Sequence, residues 1–218
     1  MTSHTATSDT TPSETSPAHT AASQTATTAT TPADSDWFTL QKQAHREFGT
    51  RVAGIQDWDA ATPDKEWSVR DLVRHVVQEQ QWIPALLAGL TLDQARRTIQ
   101  PLGDDLAAEW ATHSALATSA WQAAPADAAV QLSYDTVPVL DYLREQVSDV
   151  TIHSWDLARA TAADESLDAA LVDAVWTVFE PQRDTLEASG LFDSPVPMPD
   201  DAPLQSRLLA LTGRDDRR

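Results

Sequence analysis

Asp149 and His153 lie four residues apart in the stretch 149–160, near the end of a long predicted helix. Side chains at this spacing point from the same face of a helix, one turn above the other. A carboxylate and an imidazole placed in this way can bind one cation, and Asp156 can hold the imidazole from the next turn. The pattern therefore predicts half of a metal site.

His75, on an earlier predicted helix, is the candidate for the other half. On a helical wheel at about 100° per residue it borders the apolar stripe of its helix, and Asp149 and His153 border the stripe of theirs. Metal sites in helical bundles are built from side chains that project inward from facing helices. His75, Asp149 and His153 are therefore predicted to converge on one ion, with Glu145 and Asp156 nearby.

Nitrogen and oxygen atoms must supply every ligand, because the chain contains no cysteine. Two imidazoles and one carboxylate suit Zn²⁺ best, with Ni²⁺, Fe²⁺ or Mn²⁺ as alternatives. Three protein ligands leave one coordination position for water or substrate, which is typical of catalytic rather than structural sites.

A simpler interpretation stays open at this point. A single histidine at the edge of a helix is usually a hydrogen-bonded surface or core residue. Asp and His four residues apart also occur by chance on solvated helix faces. The tryptophans are expected to fill the core and the helix seams rather than to form a binding site.

Apolar residues at alternating intervals of three and four predict long helices joined by short loops. This pattern indicates an all-α fold, an antiparallel four-helix bundle with a short extra helix and an extended proline-rich segment near the C-terminus. The predicted helices begin at Asp34 or Asp36, at Ser68, near Asp104, after Pro138 and at Asp168, and a short one covers 204–211.

Residues 1–36 are rich in Thr, Ser and Ala and contain neither Lys nor Arg. Such a segment buries too little apolar surface to offset the entropy of ordering it, so a disordered tail is predicted before a single domain over 37–215. The tail lacks the features of a secretory signal or a transit peptide, and a cytoplasmic location is therefore expected.

The net charge of −18 excludes nucleic acid as an expected partner, because the 15 basic residues form no stripe that would meet phosphates. No apolar run approaches the length of a membrane span. Small molecules are the expected partners, with a homodimer as a further expectation.

Three segments resemble a family of actinobacterial metal-binding proteins in the DinB-like superfamily. They are 67–77 (WSVRDLVRHVV), 149–160 (DVTIHSWDLARA), and the ending formed by 192–197 (FDSPVP) with 207–215 (RLLALTGRD). That family is related to the N-terminal domain of mycothiol-dependent maleylpyruvate isomerase. The resemblance covers about residues 37–215, with the three segments in the same order.

The resemblance implies a four-helix bundle in which His75, Asp149 and His153 hold a divalent metal. The isomerase has Glu where this chain has Asp149, whose side chain is one methylene shorter. Either the helix approaches the ion more closely, or the carboxylate binds through a water. Glu145 is the substitute ligand if Asp149 does not reach.

The function implied by the resemblance is that of a transferase or isomerase that uses a low-molecular-weight thiol such as mycothiol on a small electrophile. The thiol must come from a small molecule, since the chain has no cysteine. Maleylpyruvate is not the expected substrate, because the isomerase's separate C-terminal domain is missing. Arg159 is expected to pair with Asp156. The alternatives are a non-catalytic metal-binding or sensing module and a plain helical interaction protein.

Overall fold

A computed structural model describes residues 34–64, 66–125, 127–189 and 192–217. The helices are α1 (Asp34–Ala53), α2 (Val69–Leu87), α3 (Leu92–Arg96), α4 (Leu106–Ala123), α5 (Val139–Ala160), α6 (Ala169–Phe179), α7 (Arg183–Ser189) and α8 (Leu204–Leu211). The strands are β1 (Ala129–Gln131) and β2 (Thr136–Pro138).

Helices α1, α2, α4 and α5 form the predicted antiparallel bundle, which confirms the all-α fold class. Each of the four helices buries an apolar stripe against the others. The largest fully buried side chains at the centre of the bundle are Trp37, Phe48, Leu72, Ile83, Trp121 and Leu143.

The start of α2 matters for the site because His75 lies in its second turn. Ser68 caps this helix as predicted: its hydroxyl accepts a hydrogen bond from the Asp71 amide, and the Asp71 carboxylate accepts one from the Ser68 amide. This reciprocal cap satisfies two amides that the helix leaves without partners, and it fixes the first turn of α2.

Two small elements were not predicted as the structure shows them. Helix α3, which was not predicted, follows Thr91, whose hydroxyl caps it together with Gln94. Strands β1 and β2 form a hairpin, in which Val130 pairs with Val137. The hairpin joins α4 to α5.

A second apolar cluster covers the C-terminal end of α5. Ile152 and Trp155 of α5 pack there against α6 and α8. Pro181 interrupts the helical stretch between α6 and α7, because proline lacks the amide that the helix needs. The segment 195–203 is irregular, and the Val196 amide donates to the Ala210 carbonyl, which holds this segment against α8.

The predicted disorder of the tail concerns mainly residues 1–33, which lie outside the described residues. Helix α1 begins at Asp34. Within the described ranges, every helix is too short or too polar to cross a membrane.

His45 is a partly buried histidine on the inner side of α1, away from the candidate ligands. Its ring contacts Trp110 edge-on at 5.1 Å between centroids, and its Nδ1 lies 2.9 Å from the Gln41 amide nitrogen. Burial lowers the pKa of His45 from 6.5 to about 4, since removal from water disfavours the charged ring.

This lowered pKa predicts that the fold loses stability in acid before the carboxylates titrate. The unfolded chain takes up a proton at His45 below about pH 6.5, whereas the folded chain resists uptake until about pH 4. The free energy of unfolding is therefore expected to fall by about 2 kcal/mol between pH 7 and pH 5 through this group. Urea unfolding of the wild type and of His45→Gln at pH 7 and pH 5 checks this prediction. The free energy of unfolding should change less between the two pH values in His45→Gln, and an equal change in both proteins would contradict the prediction.

Candidate metal centre

The bundle brings together the three side chains that the sequence singled out. Asp149 and His153 project from successive turns of α5, and His75 meets them from α2. The His153 Nε2 atom lies 3.4 Å from Asp149 Oδ1, and the His75 Nε2 atom lies 3.9 Å from Asp149 Oδ2. The two imidazole rings are 5.3 Å apart between centroids.

One ligand atom from each of these residues can be chosen so that all three lie within 4.8 Å of one another. Bonds of about 2.0 to 2.1 Å to a tetrahedral Zn²⁺ place any two ligand atoms about 3.3 to 3.4 Å apart. The longest of the three separations must therefore shorten by up to about 1.5 Å before all three atoms bind one ion.

Asp149 Oδ2 is a buried carboxylate oxygen with no hydrogen-bond partner. Its separation of 3.9 Å from His75 Nε2 is too long for a hydrogen bond. A buried charged oxygen without a partner costs free energy, and a cation would satisfy it. The donor set of two nitrogens and one oxygen therefore fits a divalent metal.

The charges of the candidate ligands compensate one another. Burial raises the pKa of Asp149, but the attraction of His153 and His75 outweighs it and holds the pKa well below its usual range. Burial lowers the pKa of His153, but Asp149 and Asp156 outweigh it and raise the pKa to about 9. The two carboxylates thus favour positive charge at this position, which also suits a bound cation.

Asp156 orients His153 from the side opposite to the other two candidate ligands. Its Oδ2 lies 3.1 Å from His153 Nδ1, and the carboxylate is fully buried. This contact holds the Nδ1 proton towards Asp156 and leaves Nε2 to face Asp149 and His75. Asp156 receives a second partner from the C-terminus, since Arg214 donates to both of its oxygens at 3.1 and 2.9 Å.

Trp67, immediately before the cap of α2, lies over the two histidine rings. Its ring centroid is 4.8 Å from that of His75 and 5.8 Å from that of His153, and the ring is nearly parallel to His153. This partly buried indole shields the centre on one side and restricts the two imidazoles. From the sequence alone, Trp67 was predicted only to fill the core or a helix seam.

The position of Trp67 predicts an optical signal of metal uptake. A paramagnetic ion such as Cu²⁺ at the centre should quench Trp67, one of eight tryptophans, more strongly than the others. Fluorescence titration of the wild type and of Trp67→Phe checks this, since the variant should lose most of the quenching. Trp176→Phe is the control, because Trp176 packs in the second cluster around α6. Equal quenching in all three proteins would contradict the prediction.

Residues 41–158 match the protein family described as "Mycothiol maleylpyruvate isomerase N-terminal domain". The match covers more than half of the chain and includes all three candidate ligands. The chain belongs to this family.

Two relatives of this family member come from Mycobacterium tuberculosis: the uncharacterized protein Rv0738 of strain H37Rv and the uncharacterized protein MT0763 of strain CDC 1551 / Oshkosh. Each is 30% identical over 193 residues, which is 84% of this chain and all of the relative. Their similarity therefore extends beyond the matched family domain into the C-terminal part.

Two solved structures share the fold. The crystal structure of the mycothiol-dependent maleylpyruvate isomerase aligns with a TM-score of 0.53 at 16% identity, over 67% of this chain and 70% of that chain. A histidine-to-alanine mutant of the isomerase gives a TM-score of 0.54 at 15% identity over the same shares. At this identity the comparison establishes the common bundle fold alone.

The other acidic candidate, Glu145, lies one helical turn from Asp149 on α5. Its Oε1 accepts a hydrogen bond of 2.5 Å from the Tyr134 hydroxyl, and it does not belong to the cluster that could hold a metal. The expectation that Arg159 pairs with Asp156 is wrong. Arg159 forms an ion pair of 2.6 Å with Glu165 and lies over the Trp155 ring, because it extends past the end of the buried α5 face.

A cleft of about 110 Å³ lies between α2, α5 and the turn of the hairpin, and the three candidate ligands are not among its lining residues. Glu79, Trp82, Tyr134, Tyr142 and Glu145 are among its lining residues. Glu79 is four residues beyond His75 on α2, and Glu145 is four residues before Asp149 on α5. The cleft therefore lies about one helical turn from the ligands.

Proposed function

We propose that this chain is a metal-dependent enzyme that uses a low-molecular-weight thiol of the mycothiol type on a small electrophile, as a transferase or an isomerase. His75, Asp149 and His153 hold a divalent ion, with Zn²⁺ as the first candidate. The observation that carries the proposal is the Asp149 carboxylate between two imidazoles, with its buried Oδ2 left without a hydrogen-bond partner.

The chemistry of the donor set supports catalysis over a purely structural ion. Three protein ligands leave a position of a tetrahedral ion open, whereas structural zinc sites are closed by four protein ligands. A bound divalent cation would lower the pKa of a thiol and so supply thiolate at neutral pH. The membership of a family named for a mycothiol-dependent enzyme supports a small-molecule thiol as the sulfur donor.

The side chains around the centre orient the ligands and receive the substrate. Asp156 keeps the Nδ1 proton of His153 and thereby presents Nε2 to the ion. Trp67 covers the rings on one side, and the cleft that contains Trp82 and Tyr142 receives the electrophile from another. Apolar and aromatic walls with a few polar groups are typical of small-molecule sites.

Two reactions are consistent with this arrangement. In a transfer, the sulfur–carbon bond forms as the bond from carbon to the leaving group breaks, and the thiol proton departs with the leaving group. In an isomerisation, the thiolate adds to one carbon of an activated double bond, and the π electron pair moves onto the substrate's electron-withdrawing group. The resulting single bond rotates, and the electron pair returns to restore the double bond as the thiolate leaves. The thiol is consumed in the first reaction and regenerated in the second.

The test compares metal-stripped protein with protein reloaded with Zn²⁺, Ni²⁺, Fe²⁺ or Mn²⁺. Each preparation is incubated with mycothiol and monobromobimane, and the thioether product is measured by mass spectrometry. We expect product above the uncatalysed rate only in reloaded protein, and none above that rate in His75→Ala. The same assay is repeated with an activated alkene such as maleate in place of monobromobimane. If the protein binds stoichiometric metal but neither electrophile gives a metal-dependent product, the catalytic proposal is overturned and a non-catalytic metal-binding module is favoured.

A further inference from the structure

The C-terminal segment after α8 places Arg214 at the candidate metal centre. Gly213 has a positive φ of 83° and ends α8, and its amide donates to the Ala210 carbonyl. The next amide, that of Arg214, donates to the Leu209 carbonyl at 2.9 Å. These bonds turn the chain back over the helix end, and they direct the Arg214 side chain towards α5.

The guanidinium of Arg214 binds both oxygens of a carboxylate that has no access to solvent. Nε lies 3.1 Å from Asp156 Oδ1 and Nη2 lies 2.9 Å from Oδ2, while Nη1 donates to the Thr212 carbonyl at 2.6 Å. This bidentate pairing fixes the plane of the carboxylate and also stabilises its negative charge. The Asp156 side chain can therefore hardly rotate.

The same Asp156 oxygen that receives Arg214 Nη2 also lies 3.1 Å from His153 Nδ1. The orientation of the His153 ring is thus linked through Asp156 to the C-terminal segment. A chain of three side chains results, in which the arginine fixes the aspartate and the aspartate fixes the histidine.

Other contacts also hold the C-terminal segment in place. The Ser206 hydroxyl donates to Asp216 Oδ2 at 2.6 Å, and Arg159 Nη2 donates to the Asp216 carbonyl at 3.3 Å. The segment thus keeps anchors on α8 and α5 when the Arg214 guanidinium is removed. This observation separates the role of Arg214 at Asp156 from a role in attaching the segment.

We propose that Arg214 is a positioning residue of the metal centre, which acts through Asp156 to fix the His153 ring with Nε2 directed at the ion. The inference rests on the proposed function, since it assigns His153 as a metal ligand. Arg214 lies outside the matched family domain, which ends at residue 158. The C-terminal part of this chain therefore supplies one residue that supports the metal centre of that domain.

The test measures Zn²⁺ dissociation constants, by competition with a chromophoric chelator, for Arg214→Gln and Arg214→Lys in the full chain. Loss of an outer partner typically weakens metal binding about 10–100-fold, and we expect that loss for Arg214→Gln. Arg214→Lys keeps the positive charge but cannot form the bidentate pair, and we expect a smaller loss of Zn²⁺ affinity. Arg217→Gln is the matched control, because Arg217 pairs with Asp215 at the surface and should leave the affinity unchanged.

A second measurement decides the inference independently of metal affinity. NMR of protein with ¹⁵N-labelled histidine detects the His153 Nδ1 proton, which should exchange slowly in the wild type and rapidly in Arg214→Gln. A lower melting temperature with unchanged Zn²⁺ affinity and an unchanged Nδ1 proton would overturn the inference. If the wild type binds no metal, the proposed function fails, and the Nδ1 proton alone decides whether Arg214 positions His153.

Discussion

Replacement of His153 by alanine is expected to abolish stoichiometric metal binding. This ring is one of the three proposed ligands, and its Nε2 lies 3.4 Å from Asp149 Oδ1. Since loss of a mere outer partner costs about 10–100-fold in affinity, loss of a ligand should cost at least about 100-fold. Elemental analysis of purified protein after dialysis against Zn²⁺ measures the effect, and His75→Ala should behave in the same way.

His113→Ala is the matched control for these two variants. His113 has an exposed side-chain fraction of 20%, close to the 21% of His75, and it also lies next to a carboxylate, at 3.1 Å from Glu109. It lies on α4 outside the candidate cluster, so its loss should leave one metal ion per chain. Full metal content in His75→Ala and His153→Ala would show that the ion binds elsewhere.

Replacement of Gly213 by alanine is expected to cause a large loss of stability at the end of α8. An added Cβ would lie 2.4 Å from the Asp193 Cβ and 2.9 Å from its backbone carbonyl atoms, and the φ of 83° adds strain of its own. A non-glycine residue in this conformation costs about 1–3 kcal/mol. With the steric overlap added, we expect a fall in melting temperature of roughly 5–15 °C.

Gly89→Ala separates the two contributions. Gly89 has a similar φ of 79°, but nothing lies within 4 Å of the position of an added Cβ. Its substitution should therefore show the cost of the backbone conformation alone, about 1–2 kcal/mol. Thermal unfolding of both variants compares them directly, and an equal loss in the two would mean that Asp193 shifts aside at no cost.

The bundle itself could be predicted because its signals are local. The spacing of apolar residues predicted α1, α2, α4 and α5, and Ser68 with Asp71 and Asp168 marked two helix starts that the structure confirms. Helix α3 was missed because five residues carry too little periodicity. Its capping pair, Thr91 and Gln94, was the available signal.

The candidate ligands were also accessible from the sequence, for a different reason. Asp149 and His153 are related by the geometry of one helix, so their proximity follows from the helical period alone. The pairing with His75 required a relation between two helices, and it rested on wheel positions together with the family resemblance. The structure places the three together, while metal binding itself stays a prediction.

Arg214 shows what sequence reasoning could not reach. It lies 58 residues from Asp156, and no periodic pattern connects an irregular segment after α8 with the buried face of α5. The nearer Arg159 was chosen instead because it lies on the same helix as Asp156. The preceding Gly213 gave a signal for the end of α8 but none for the direction that the chain takes afterwards.

The placement of Asp149 and His153 on one helix has a consequence for the energetics of metal uptake. Residues four apart stay neighbours in any fragment of nascent helix, so the denatured ensemble retains a weak chelating pair. Binding to unfolded chains reduces the stabilisation that a ligand provides by mass action. Zn²⁺ should therefore raise the melting temperature by less than its affinity for the native protein implies. His75 joins the other two residues only after tertiary folding, so it supplies the difference in Zn²⁺ affinity between the folded and unfolded chains.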